Sequence, residues 1–165
     1  PESQEICFVP TNDYTDFLAD RLGPDHAALS PGRIVTSDGE TLGEHAGYAR
    51  YTVGQRKGLG GGFSRRLYVI ATRPSANEVV VGGEDALLRD EVELGDANWL
   101  ASEPRKDEKV HVRLRHRAPR VAATVLDAAA SGATLRLAEP QRAVTPGQSG
   151  AIYRGDVLVG GGRIR

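Results

Sequence analysis

Short apolar runs broken by glycine and proline, rather than long helical periodicities, run through most of this chain. One helix is predicted near the start. Tyr14, Phe17, Leu18 and Leu22 recur at helical spacing after a capping Asn12 or Asp13, and Gly23-Pro24 would end the run. Beyond it the pattern is that of strands and tight turns. Arg33 to Thr36 and a strand near Thr41-Leu42 flank Ser37-Asp38-Gly39-Glu40, where Asp-Gly signals a hairpin. Leu67 to Thr72 and Glu78 to Val81 flank Pro74 to Asn77, a second hairpin. The pattern restarts near Leu87 to Asp90. Five further strand regions follow: Glu91 to Leu94, Lys109 to Arg117, Ala122 to Leu126, Ala133 to Leu137, and Gly150 to Arg154 with Val157 to Gly160. Such short, regular spacing predicts a small antiparallel barrel, which removes its edges by closure. The expected fold is mainly β: residues 1–24 as a leading segment, 25–88 as a central β module, and 89–165 as a translation-factor-like barrel.

Composition narrows the function classes. With 39% hydrophobic and 26% charged residues, the 165-residue chain has the make-up of a soluble folded protein. A net charge of -1 means that any nucleic-acid surface must be local. No run of about 18 apolar residues exists, so no membrane partner is expected. The single cysteine excludes an intramolecular disulfide and favours a reducing compartment. The absence of methionine suggests a piece of a longer protein.

Local charge appears in two places. Tyr51 to Gly62 holds five glycines beside Arg56-Lys57, between the strand-like Tyr51-Thr52-Val53 and Arg66 to Ile70. It fits neither a P-loop nor G-x-G-x-x-G, so nucleotide binding is not expected there. Its cations would touch RNA backbone, another domain, or only solvent. From Arg105 to Arg120, seven Lys or Arg face two acids. Read as one strand, this segment puts His111, Arg113, Arg115 and Arg117 on one face, with Val110, Val112 and Leu114 on the other. Such a row is either a solvated face or an RNA contact. Its spacing of about 7 Å per two residues is close to a nucleic-acid phosphate repeat.

Cys7 carries two readings. Free cysteine is among the most buried residue types, and a lone one without a visible base proves little. Against a core role, Cys7 stands among Ser3, Gln4 and Glu5, ahead of the first apolar periodicity. Thr145-Pro146-Gly147-Gln148 reads as a type II turn that presents the Gln148 amide beside a strand. Gly160 to Gly162 reads as a bulge or close packing, and His45 as a turn residue bonded to backbone. The histidines and the cysteine show no metal-ligand spacing, so no metal is expected.

Four ordered segments together resemble one family, the bacterial-type tRNA-specific 2-thiouridylases. They are Ser3 to Pro10, Gly43 to Gly47 running into Tyr51 to Gly60, Thr145 to Gln148, and Gly160 to Gly162. The resemblance covers only the family's C-terminal part. It implies an ATP-binding domain and a first catalytic cysteine upstream of Pro1, with residues 1–24 as the link to them. ATP would be a co-substrate bound there, and this chain alone would be inactive. The family's cysteine after Ser-Gln-x-Ile carries sulfur as a persulfide, which maps to Cys7, and a transient disulfide with the upstream cysteine would resolve it. The implied partners are tRNA and a sulfur donor, either a cysteine desulfurase or a sulfur-relay protein, in the cytoplasm. An Arg-Tyr-Arg stretch that touches tRNA maps to Arg113, Leu114 and Arg115, with leucine replacing the aromatic. A tRNA-contacting glutamine maps to Gln148. The alternative is a non-catalytic RNA- or ribosome-binding barrel, which has no use for Cys7.

Overall fold

The computed structural model describes residues 14–60 and 66–165. These form two compact units, which meet in sequence between Ala86 and Leu87.

The first unit opens with helix α1, Tyr14–Leu22, as the apolar spacing predicts. Gly23 ends it at a φ of 90°, with its N–H bonded to the Ala19 carbonyl at 2.9 Å, a left-handed stop that glycine adopts without strain. The capping residues Asn12 and Asp13 lie outside the described residues. Two long-range bonds tie the helix down: the Tyr14 hydroxyl donates to the Ala49 carbonyl, and Arg50 donates to the Thr15 hydroxyl.

Strands β1 (Gly32–Thr36) and β2 (Thr41–His45) form the Asp-Gly hairpin, with Gly39 at a φ of 89°. Strands β3 (Tyr68–Arg73) and β4 (Glu78–Gly82) form the second hairpin, turned by Asn77 in the left-handed region. The four assemble in the order β2-β1-β4-β3. The β1–β4 pair is parallel, aligning Val35 with Val80. Ile34, Leu59, Leu67, Val69, Val79 and Val81 fill the core. Tyr51 to Val53, expected as a strand, instead enters a turn. The reason is visible in its bonds: Gln55 accepts from the Thr52 amide, the Gly54 N–H donates to the Val69 carbonyl, and the Val69 N–H donates to the Gln55 carbonyl.

His45 closes β2 and is 3% exposed. Its Nδ1 accepts the Gly47 N–H at 3.0 Å, which leaves Nε2–H to donate to the Asn77 carbonyl at 3.2 Å. Burial pushes its pKa below the ordinary 6.5, against the smaller upward pull of the Asn77 bond. A histidine depressed in the folded state contributes stability that is complete above 6.5 and declines as pH falls below it. The melting temperature of this unit is therefore expected to fall as pH drops below that value. His45→Gln should be less stable at neutral pH and lose the dependence; an unchanged profile in the variant would remove His45 as the cause.

The second unit is a closed antiparallel barrel, ordered β10-β5-β8-β7-β6-β9. Its strands are β5 (Leu88–Trp99), β6 (Lys109–Arg113), β7 (Val121–Ala129), β8 (Gly132–Arg142), β9 (Ser149–Arg154) and β10 (Val157–Ile164). Strand β5 runs to 12 residues because its two neighbours pair along staggered halves of it. Leu88 to Gly95 pair with β8, and Leu94 to Trp99 pair with β10. The Gly160 to Gly162 run provides close packing. A Cβ on Gly161 would lie 2.2 Å from the Gly150 carbonyl oxygen, and one on Gly162 would lie 2.4 Å from that of Gly95. Inward residues of all six strands, from Val92 to Ile164, make one core.

Strand β6 is shorter than its charge pattern suggests. It ends at Arg113, and the chain turns through Arg115 to Ala118, with Arg117 at a φ of 61°. A left-handed residue cannot continue a strand, and Pro119 has no N–H for the ladder. The predicted row of four therefore splits: His111 and Arg113 stay on the strand, while Arg115 and Arg117 sit in the turn.

Candidate nucleic-acid interface

The outward side of β6 carries Lys109, His111 and Arg113 between buried Val110 and Val112. Leu114 follows, 6% exposed and packed in the barrel core. Its side chain anchors the strand end and thereby positions the arginines on either side of it. The Arg113 guanidinium lies 5.9 Å from the centre of the Tyr153 ring. Its Nε is buried without a hydrogen-bond partner, and no ion pair holds it among the described residues. Arg115 is exposed and donates to the Arg142 carbonyl at 3.3 Å, a neutral acceptor that leaves its charge uncompensated.

Two other cations of this region are committed. Arg154 pairs with Glu108 at 2.6 Å, and the Glu108 carboxyl is held below its ordinary range chiefly by that bond. Arg120 pairs with Asp156 at 3.0 Å, donates to the Gly155 carbonyl, and stacks 4.0 Å above the Tyr153 ring. Thus the acids Glu108 and Asp156 neutralise Arg154 and Arg120, not Arg113 or Arg115.

Gln148 stands at the head of β9. Its turn is built as the sequence suggests: Gly147 has a φ of 89°, and the Gln148 N–H bonds back to the Thr145 carbonyl. Gln148 is exposed, and its carbonyl accepts the Ile164 N–H at 2.8 Å, which fixes it beside β10. Register places Arg113 opposite Ala151 of β9, so Arg113 lies on the strand adjoining the one that Gln148 leads into. Tyr153 and Arg120 escape a reading of the sequence. Period two along Ser149, Ala151 and Tyr153 would have turned the tyrosine outward, but only the fold brings Arg120 onto its ring.

Cys7 lies outside the described residues. In the glycine loop, Arg56 and Lys57 are exposed, the Lys57 carbonyl accepts from Gln55, and buried Leu59 pins the segment. No group of three or more His, Cys, Asp or Glu among the described residues is arranged to hold a metal. No described helix is long and apolar enough to cross a membrane.

Two family models match the two units. Residues 15–83 match a tRNA methyl transferase PRC-barrel domain, and residues 89–164 match an aminomethyltransferase beta-barrel domain. The tRNA-specific 2-thiouridylase MnmA of Acidithiobacillus ferrooxidans is 48% identical over 99% of this chain and 46% of its own length. That of Solibacter usitatus is 45% identical over 99% and 46%, and that of Carboxydothermus hydrogenoformans 43% over 99% and 44%. The chain spans about half the length of these curated relatives. With matches to both units and such identity along nearly its whole length, the chain belongs to the tRNA-specific 2-thiouridylase family.

Proposed function

We propose that this chain is the tRNA-docking and sulfur-carrying part of a cytoplasmic, ATP-dependent tRNA-uridine 2-sulfurtransferase. ATP binding would lie outside this chain, and sulfur would come from a cysteine desulfurase or relay protein. Adenylation turns the C2 oxygen of the wobble uridine into a leaving group. The terminal sulfur of a Cys7 persulfide attacks C2, and the C2–O bond breaks to release AMP. A second cysteine then attacks Sγ of Cys7. The S–S bond of the adduct breaks, its electron pair stays with the uridine sulfur, and a protein disulfide remains for a cellular thiol to reduce. The methyltransferase wording of the family models finds no support in these residues, which show no methyl-donor-binding pattern.

The observation that best supports docking is the pair Arg113 and Arg115, two cations without acid partners at the mouth of one strand. Each would neutralise about one phosphate. Arg113→Ala/Arg115→Ala is expected to lower the magnitude of the log–log salt slope of tRNA affinity by about 1.5–2 units. Gln148→Ala should weaken binding with little change in slope, since an amide releases no counterion. An unchanged slope in the double variant would make the two arginines a solvated face and move docking to the Arg56-Lys57 loop.

A further inference from the structure

Three adjoining strands of the barrel frame a depression that the docking residues above do not account for. Strand β9 turns Ser149, Ala151 and Tyr153 outward, because Gly150 and Ile152 are buried. Register sets Arg163 beside Ser149, and Gly161 beside Ala151, with Arg113 on the other side of Ala151. Leu158 and His111 flank Tyr153 in the same way. On β10 and β9 the middle row thus offers only a hydrogen and a methyl group, with Arg163 in the row before it and Leu158 and Tyr153 in the row after. Gly161 cannot fill it, since any Cβ there meets the β9 backbone. The result is an open depression of about 380 Å³, within the size class of small-ligand sites.

Its chemistry is mixed in a telling way. Leu100 and Leu158 are 64% and 40% exposed, and both line it. Asn98 and Ser149 add hydrogen-bonding groups, and Arg163 adds a cation. Asp96, the one acid of the lining, is already paired with Arg165 at 3.0 Å. Gln148 precedes Ser149 directly, and the acid-free Arg113 borders the floor through Ala151.

We infer that this depression receives one unpaired nucleotide of the docked RNA. The apolar walls suit the face of a base, the amide and hydroxyl its edge, and the arginines on either side its phosphates. A base inside a duplex has no free face to offer. This inference rests on the docking role proposed above and names the form of RNA that the barrel selects.

The test uses the 165-residue chain. Ala151→Leu fills the floor without altering charge. It should lower affinity for tRNA about tenfold or more, with an unchanged salt slope and unchanged affinity for a fully paired RNA duplex. Leu100→Ser/Leu158→Ser removes the walls at exposed positions, where folding is insensitive, and should show the same selective loss. Thermal melting of each variant establishes that it is folded. If both bind tRNA as the wild type does, or lose tRNA and duplex equally, the depression is no nucleotide site, while docking itself stands. If the wild-type chain binds no tRNA at all, the docking reading falls and takes this inference with it.

Discussion

A parent enzyme carrying Cys7→Ser is expected to bind tRNA normally, adenylate the uridine, and form no 2-thiouridine. Sulfur and oxygen differ little in size here, so the substitution leaves folding intact. They differ entirely in chemistry, because an alcohol cannot carry a transferable sulfur and is a poor nucleophile at neutral pH. The loss should therefore be complete rather than graded. Thionucleoside content of tRNA digests, measured with ATP and a protein sulfur donor, reads the outcome directly. Adenylated tRNA should accumulate at the same time, which separates a missing sulfur carrier from a failure to bind or activate. Retained thiolation would return Cys7 to the status of an ordinary apolar residue and leave the barrel as a binding module.

The second large effect is structural. Leu114→Ala is expected to destabilise the barrel by about 2–4 kcal/mol, the usual cost of emptying a buried leucine site. Leu114 is 6% exposed and packs in a core with Val110, Val112 and Val125. Emptying its site would also free the strand end that sets the height of Arg113 and Arg115, so tRNA affinity should fall together with stability. Denaturant melts check the first, and binding at a temperature where the variant is fully folded isolates the second. A variant that melts like the wild type would mean that the barrel collapses around the gap.

How far the sequence anticipates this structure depends on how local each feature is. The helix, both hairpins and the Thr145 to Gln148 turn follow from neighbours in the chain, since caps, Asp-Gly and Pro-Gly act over a few residues. The barrel follows from the number and spacing of strands. The parallel β1–β4 pair does not, because it joins segments about forty residues apart with no motif between them. The end of β6 differs from its alternation pattern for a related reason. Arg115 and Arg117 continue the alternation, but Arg117 takes a left-handed turn conformation that only Ala118-Pro119 hints at. In the candidate interface, Arg113 and Gln148 stand out by charge and turn chemistry, whereas the depression depends on register between β5, β9 and β10. Glycine runs announce close packing; they do not announce which faces are left bare. The role proposed for Cys7 rests on family resemblance alone.

The double duty of β5 bears on how the barrel comes into being. Strands β5 and β10 are the farthest apart in sequence of the six, yet they are hydrogen-bonded neighbours. During synthesis β5 emerges first and β10 last, so the ring cannot close until the final strand arrives. Until then β5 and β9 both present unpaired edges, the geometry that invites pairing with a neighbouring chain. Glu91, Glu93 and Asp96 on the waiting strand place charge along it, which hinders such pairing while the last strand is still in the ribosome.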